Sequence, residues 1–245
     1  MMALLLTGCS NEAAAPMDDA TGFVLSLGTP SVEVTTRSTP SELGTPLPQD
    51  FRLRIQNDYS HAFVYDGRYK PFVSAGNGDY TIVATYGEDL PIALDMPYYY
   101  GSAQASIAGK GDKPQVSIHC SIANALASVH YYDGEGQPGT AGFDAVFSSY
   151  GVQVWRGDQY VTMQHGASAY FRVGETPRFV FVGTPKDGGP QVSYAIAQDK
   201  FPATVEAARH LILKLSMQKT PDGITIYDDE EADDSTPFDG FDPCL

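Results

Sequence analysis

The sequence holds three cysteines, one tryptophan and only 15 Lys and Arg among 245 residues, and each shortage closes off a class of protein. Three cysteines are too few for a disulfide framework; Cys9 stands at the very start, which leaves Cys120 as a small buried hydrophobe of a strand or a partner for Cys244. Thirty Asp and Glu outweigh the bases to a net charge of −15, so the clustered Lys and Arg that neutralise phosphates are missing and nucleic-acid binding is excluded. Nor is there a run of about 18 apolar residues that could cross a bilayer as a helix.

Chemistry-bearing motifs are equally scarce. The five histidines, His61, His119, His130, His165 and His210, are scattered without a His-x-His pair, an HExxH or a neighbouring thiolate or carboxylate at ligand spacing, and His119 and His210 read as solvent-facing strand residues. There is no G-x-S-x-G elbow and no Walker loop. "GEGQPG" at Gly134 matches G-x-G-x-x-G in letters only, because Pro138 lacks an N–H and no helix follows at once to receive a pyrophosphate. The reading is a non-enzymatic protein with no catalytic residue, no metal site and no cofactor.

What is present alternates with period two. In "FRLRIQN", Phe51, Leu53 and Ile55 oppose Arg52, Arg54 and Gln56, and in "QVSIHCSI", Val116, Ile118, Cys120 and Ile122 oppose Gln115, Ser117, His119 and Ser121, so each predicts a strand with one buried face. Looser runs predict strands at 22–28, 80–86, 126–132, 152–155, 178–182, 191–197, 211–217 and 224–227, separated by turn signals at Asn77, Arg156, Lys186 and Pro221. "RGD" at Arg156 is read as the tight turn of a hairpin between "VQVW" and "QYVT". "TVEAARHLILKL" competes as a helix, but Leu211, Leu213, Leu215 and Met217 alternate, and its second half is taken as a strand; a short helical turn is expected at "FDAVFSSY". The fold class is all-β, as tandem antiparallel β-sandwiches with few helical turns: residues 1–20 a signal remnant and tether, 21–122 and 123–227 the two sandwiches, 228–245 an acidic tail. Between Asp228 and Asp242 stand eight carboxylates and no base, as expected of a solvated segment.

Two stretches suggest roles. Leu6-Thr7-Gly8-Cys9 has the order of the bacterial lipobox, in which the signal is cut before the cysteine and that residue is acylated. No basic n-region precedes it, so the true start codon is expected upstream, and "SNEAAAPMDDATG" reads as a flexible tether. "DMPYYYG", Asp95 to Gly101, is the densest aromatic cluster; in extended backbone Tyr98 and Tyr100 share a face with Tyr99 opposed, a possible glycan platform, as is Trp155.

The segments "FRLRIQN", "DYTIVATYGEDLPIALDMPYYYGSAQASI", "QVSIHCSIANALASVHY" and "FDAVFSSYGVQV" together resemble a Bacteroidetes lipoprotein family catalogued as domain of unknown function 4493. The D-x-P-Y-Y-x-G and C-x-x-A-N segments carry most of that resemblance, which runs in order from Thr21 to Ser216. It implies transthyretin-like sandwiches related to fimbrillins and to fimbrial tip or anchor subunits, whose grooves accept a strand from a neighbour. By the same resemblance, Arg37 in "VEVTTRSTP" takes the position of proteolytic processing. The functional expectation is an outer-membrane or cell-surface protein, lipid-anchored through Cys9, acting in adhesion or as the anchor or tip of a fimbria-like assembly. Its partners would be the membrane and envelope or fimbrial subunits met by strand addition. The alternative is a glycan-binding lipoprotein of a polysaccharide-uptake system, using Tyr98, Tyr100 and Trp155.

Overall fold

A computed structural model of the chain describes residues 20–28, 46–133, 137–220 and 223–228. The first part of the chain forms β1 (Gly22–Gly28), β2 (Arg52–Asn57), β3 (Phe63–Arg68), β4 (Phe72–Ser74), β5 (Gly78–Tyr86), β6 (Ile92–Leu94), β7 (Tyr99–Ile107), β8 (Gln115–His119) and β9 (Ser121–Ile122). The second part forms β10 (Asn124–Tyr132), helix α1 (Ala141–Val146), β11 (Phe147–Arg156), β12 (Gln159–Met163), β13 (Ser168–Arg172), β14 (Gly174–Glu175), β15 (Arg178–Pro185), β16 (Val192–Ala195), β17 (Thr204–Val205), β18 (His210–Thr220) and β19 (Gly223–Asp228).

Alternation becomes burial on one face. A sheet of order β4-β1-β8 packs on one of order β3-β2-β5-β7-β9, and Phe23, Leu25, Val73 and Ile118 from the first meet Leu53, Ile55, Ile82 and Tyr99 from the second in one core. A second core lies between β19-β18-β10-β13-β6 and β12-β11-β15-β16, where Ala127, Val129, Phe171, Leu213 and Leu215 meet Val152, Val154, Met163, Phe179 and Phe181. These are sheets stacked face to face, each core filled by the inward half of every strand. Pairing is antiparallel except at β1 with β8 and β10 with β18, which run parallel.

Strand β10 departs from simple alternation because it is central and covered on both sides: Ala125 to Val129 are all buried, Leu126 included. The "FDAVFSSY" stretch divides, its first half closing α1 at Val146 and its second half opening β11 at Phe147. Strand β6 crosses between the two halves. It comes from the middle of the first part of the chain, yet pairs with β13 through Ala169↔Leu94 and Phe171↔Ile92, and Ile92 is buried in the second core.

Candidate functional site

The stretch from Gly87 to Gly101 is built by its special residues. Gly87 takes φ 76°, where a Cβ would stand 2.3 Å from the Pro97 carbonyl oxygen. Asp95 adopts φ 50°, left-handed, and its strain is offset by a double tie to Ser168: its own N–H donates to the Ser168 carbonyl (2.8 Å) while its carboxylate accepts from the Ser168 N–H (2.9 Å). The chain then returns to the first sandwich at Tyr98, whose N–H donates to the Asn124 side-chain oxygen (3.2 Å), and the Asn124 amide donates to the Met96 carbonyl (3.3 Å). Ala123 N–H donates to the Tyr98 carbonyl (2.8 Å). The D-x-P-Y-Y-x-G and C-x-x-A-N segments are thus two sides of one junction between the sandwiches, reinforced by Arg172, whose guanidinium donates to the Asp89 carboxylate (2.8 Å).

Of the aromatic residues singled out in the sequence, Tyr98 and Tyr100 lie together and Trp155 lies apart on another sheet. Tyr99 is buried against Phe51 and Tyr86, Tyr98 is half-buried at the junction, and Tyr100 is 42% exposed on the outer face of β7. Burial is the main cause that raises the Tyr98 phenol, with Asp89 and Tyr100 adding to it and Arg54 and Arg172 opposing. Trp155 is the middle rung of a cross-strand ladder. Tyr160 on β12 stacks on it at 4.3 Å and Arg178 on β15 covers it at 5.1 Å; since those strands flank β11 on opposite sides, both indole faces are taken. The open face of that ladder belongs to Tyr160, which sequence reasoning did not single out because its cross-strand partner is fixed only by the hairpin register.

Gly157-Asp158 is the two-residue turn of the hairpin between β11 and β12, closed by the Arg156↔Gln159 pair, with Gly157 at φ 61°. The Arg156 side chain folds back to donate to the Val173 carbonyl (3.1 Å). His119 is exposed, as expected, whereas His210 is not: the parallel register sets it opposite Leu126 at the start of β18, and it is buried beside Ser128, Oγ to Nε2 2.8 Å, while Ile212, Lys214 and Ser216 further along that face are half-buried. His130 is held below the usual histidine range by burial first, then by His165 and Lys214. Among the described residues no group of three or more His, Cys, Asp or Glu could hold a metal ion. No helix among them is long and apolar enough to cross a membrane.

The other candidate site is a sheet edge. Among the described residues β3 has β2 on one side only, and Phe63 (56%) and Val64 (40%) are exposed on it. The Tyr69 N–H donates to the Phe51 carbonyl at 2.8 Å, which sets the phase of the ladder. Bonded and non-bonded pairs alternate in an antiparallel ladder, so Asp66 and Arg68 turn their N–H and C=O away from β2. The Arg68 carbonyl is taken by the Tyr65 hydroxyl (2.6 Å), leaving the stretch from Phe63 to Asp66 as the open edge. Cys9, Arg37, Cys244 and the acidic tail beyond Asp228 lie outside the described residues.

A family model described as "Domain of unknown function (DUF4493)" matches residues 20–238. A fimbrial assembly protein from Parabacteroides distasonis is similar at 10% identity and TM-score 0.49, over 86% of this chain and 99% of that one. The fimbrial anchor protein Mfa2 from Porphyromonas gingivalis is similar at 8% identity and TM-score 0.42, over 86% of this chain and 98% of that one. No curated protein matches the sequence.

Proposed function

The chain belongs to the DUF4493 family, and on that premise we propose that it is a non-enzymatic, lipid-anchored cell-envelope protein acting in adhesion or as an anchor or tip in a fimbria-like assembly. The observation that carries this reading is the edge of β3, where an apolar start and outward backbone groups meet no partner strand among the described residues. Such an edge is the template for strand addition; soluble proteins ordinarily blunt it with charge or proline, and on β3 the charges, Asp66 and Arg68, stand only in its second half, leaving Phe63 to Tyr65 without them. The lipobox order at Leu6 to Cys9 supports the anchor, holding the first strand within a short tether of the membrane.

In its native bacterium, the full chain is expected in the detergent-extractable membrane fraction, and Cys9→Ser in the soluble one. Chemical crosslinking in the same cells should trap envelope proteins, and a Phe63→Lys, Val64→Lys double variant should lower that yield by about tenfold, because edge lysines oppose strand addition. Membrane release without Cys9 dependence would remove the anchoring claim, and an unchanged crosslinking pattern in the double variant would remove the edge as the docking site.

A second reading, glycan binding on the outer face of the same sheet, is favoured by Tyr100, which stands exposed on β7 with Thr85 and Ser121 on either side of it in its row and Ser102 next along its strand.

A further inference from the structure

The outer face of the β3-β2-β5-β7-β9 sheet carries a charge pattern at odds with the rest of the molecule. Cross-strand register aligns Arg68, Arg52, Thr85, Tyr100 and Ser121 in one row, and Asp66, Arg54, Val83 and Ser102 in the next. Three of the chain's 15 basic residues therefore share one small patch, in a protein whose net charge is −15. Arg52 and Arg68 stand directly opposite each other, an arrangement that costs a sheet stability.

The one carboxylate in these rows does not balance them. Asp66 accepts from Arg52 twice (2.7 and 2.9 Å) and lies 3.5 Å from the Arg54 guanidinium, so it serves two cations at once. Arg68 is exposed and its guanidinium has no partner among the described residues. The side chains of Arg52 and Arg54 remain 56% and 49% exposed, so all three guanidinium groups stay reachable from solvent, Arg52 through the edge that Asp66 leaves open. A like-charge pair kept on an open face without full compensation is a violation of sheet rules of the kind expected at functional sites.

The aromatic residue in the same row narrows the partner. Tyr100 stands two strands from Arg52, roughly 10 Å at the usual strand spacing, with the Thr85 side chain between. Beside it are Ser102 and Ser121, both exposed. One exposed ring beside hydroxyl groups offers a stacking surface for a sugar ring and hydrogen bonds to its hydroxyls, and half-buried Val83, the one aliphatic side chain in the two rows, falls short of the apolar centre that a protein interface requires. Guanidinium forks at one end bind carboxylate or sulfate in bidentate fashion. Repulsion from acids elsewhere on the chain is screened beyond about 8 Å in physiological salt, so the local field decides.

We propose that this face binds acidic polysaccharide, with a sugar ring on Tyr100 and its carboxylate or sulfate groups on Arg54, Arg68 and Arg52. The inference rests on the glycan-binding reading given above. It requires neither membrane attachment nor strand addition.

The test uses the purified full chain and matched polymers that differ only in charge: polygalacturonate against its full methyl ester, and dextran sulfate against dextran. The charged member of at least one pair is expected to bind about tenfold or more tighter than its neutral counterpart, and to weaken steeply as salt rises. Which pair responds tells carboxylate from sulfate. Arg54→Gln and Arg68→Gln should each weaken binding about tenfold, Tyr100→Ala should do the same, and Asp66→Asn should tighten it several-fold. All four sites lie on the surface, and unchanged melting temperatures confirm that each variant is folded. Equal binding of charged and neutral polymers, with dependence on Tyr100, overturns the acidic specificity while leaving glycan binding in place. Failure to bind any of the four polymers overturns the inference, and so does tighter binding of poly-glutamate that ignores Tyr100→Ala, which would make the partner an acidic protein segment.

Discussion

A methyl group on Gly101 would stand 2.4 Å from the His119 carbonyl oxygen and 2.8 Å from the Cys120 sulfur, so β7 and the β8–β9 bend approach too closely for any side chain. The same contact seals Cys120, which is buried with its thiol aimed at the Ala84 carbonyl 4.0 Å away. Burial pushes that thiol up to about 11. A raised thiol favours the neutral form in the folded state, so its contribution to stability is complete below the unfolded value near 8.5 and is lost as pH climbs toward 11. Native protein at pH 8 is therefore expected to react with iodoacetamide at least ~100-fold more slowly than denatured protein, the ratio of thiolate fractions alone, and mass spectrometry of the alkylated chain reads it directly. The buried, apolar position of Cys120 was legible in the alternation around it. The reason for Gly101 was not, since it depends on a strand almost twenty residues further along the chain.

At the scale of elements, β2 stands where strict alternation placed it, because one face is buried and the other is wet, whereas the run predicted as one strand over 115–122 breaks at the buried Cys120: β8 pairs with β1 in one sheet and β9 with β7 in the sheet facing it. β3 and β6 lacked such a pattern for opposite reasons. β3 is an edge with little burial on either side, and β6 is three residues long, its apolar run set by a sheet outside its own sandwich. That loan has a cost that can be measured. Ile92→Ala removes part of the second core from a residue that follows β5 of the first sandwich, and is expected to destabilise by about 2–4 kcal/mol. The loss should fall on β13, whose β6-facing amides at Tyr170 and Arg172 would exchange faster with deuterium while those of β2 and β5 keep their protection. Equal acceleration in β2 and β5 would mean that β6 belongs energetically to both cores.

For the molecule as a whole, the charge of −15 acts as a uniform strain, since like charges held within a compact body repel. Raising NaCl from about 0.02 to 0.2 M, which shortens the Debye length from roughly 20 to below 10 Å, is expected to raise the melting temperature by a few degrees. Acidic-polymer binding by the arginine face should respond to the same salt in the opposite direction, so calorimetry and binding together separate global repulsion from the local patch. By itself the sequence determined the all-β class, the alternation of most strands, the absence of metal and nucleophile motifs and the lipobox order at Cys9, because these are matters of composition and of near neighbours along the chain. Only the tertiary structure decided that β6 is lent across the junction, that Trp155 is closed between Tyr160 and Arg178, and that Arg52, Arg54, Arg68 and Tyr100 share one open face. Those are outcomes of register between distant strands, and register is set by which faces find a core, not by any single run of residues.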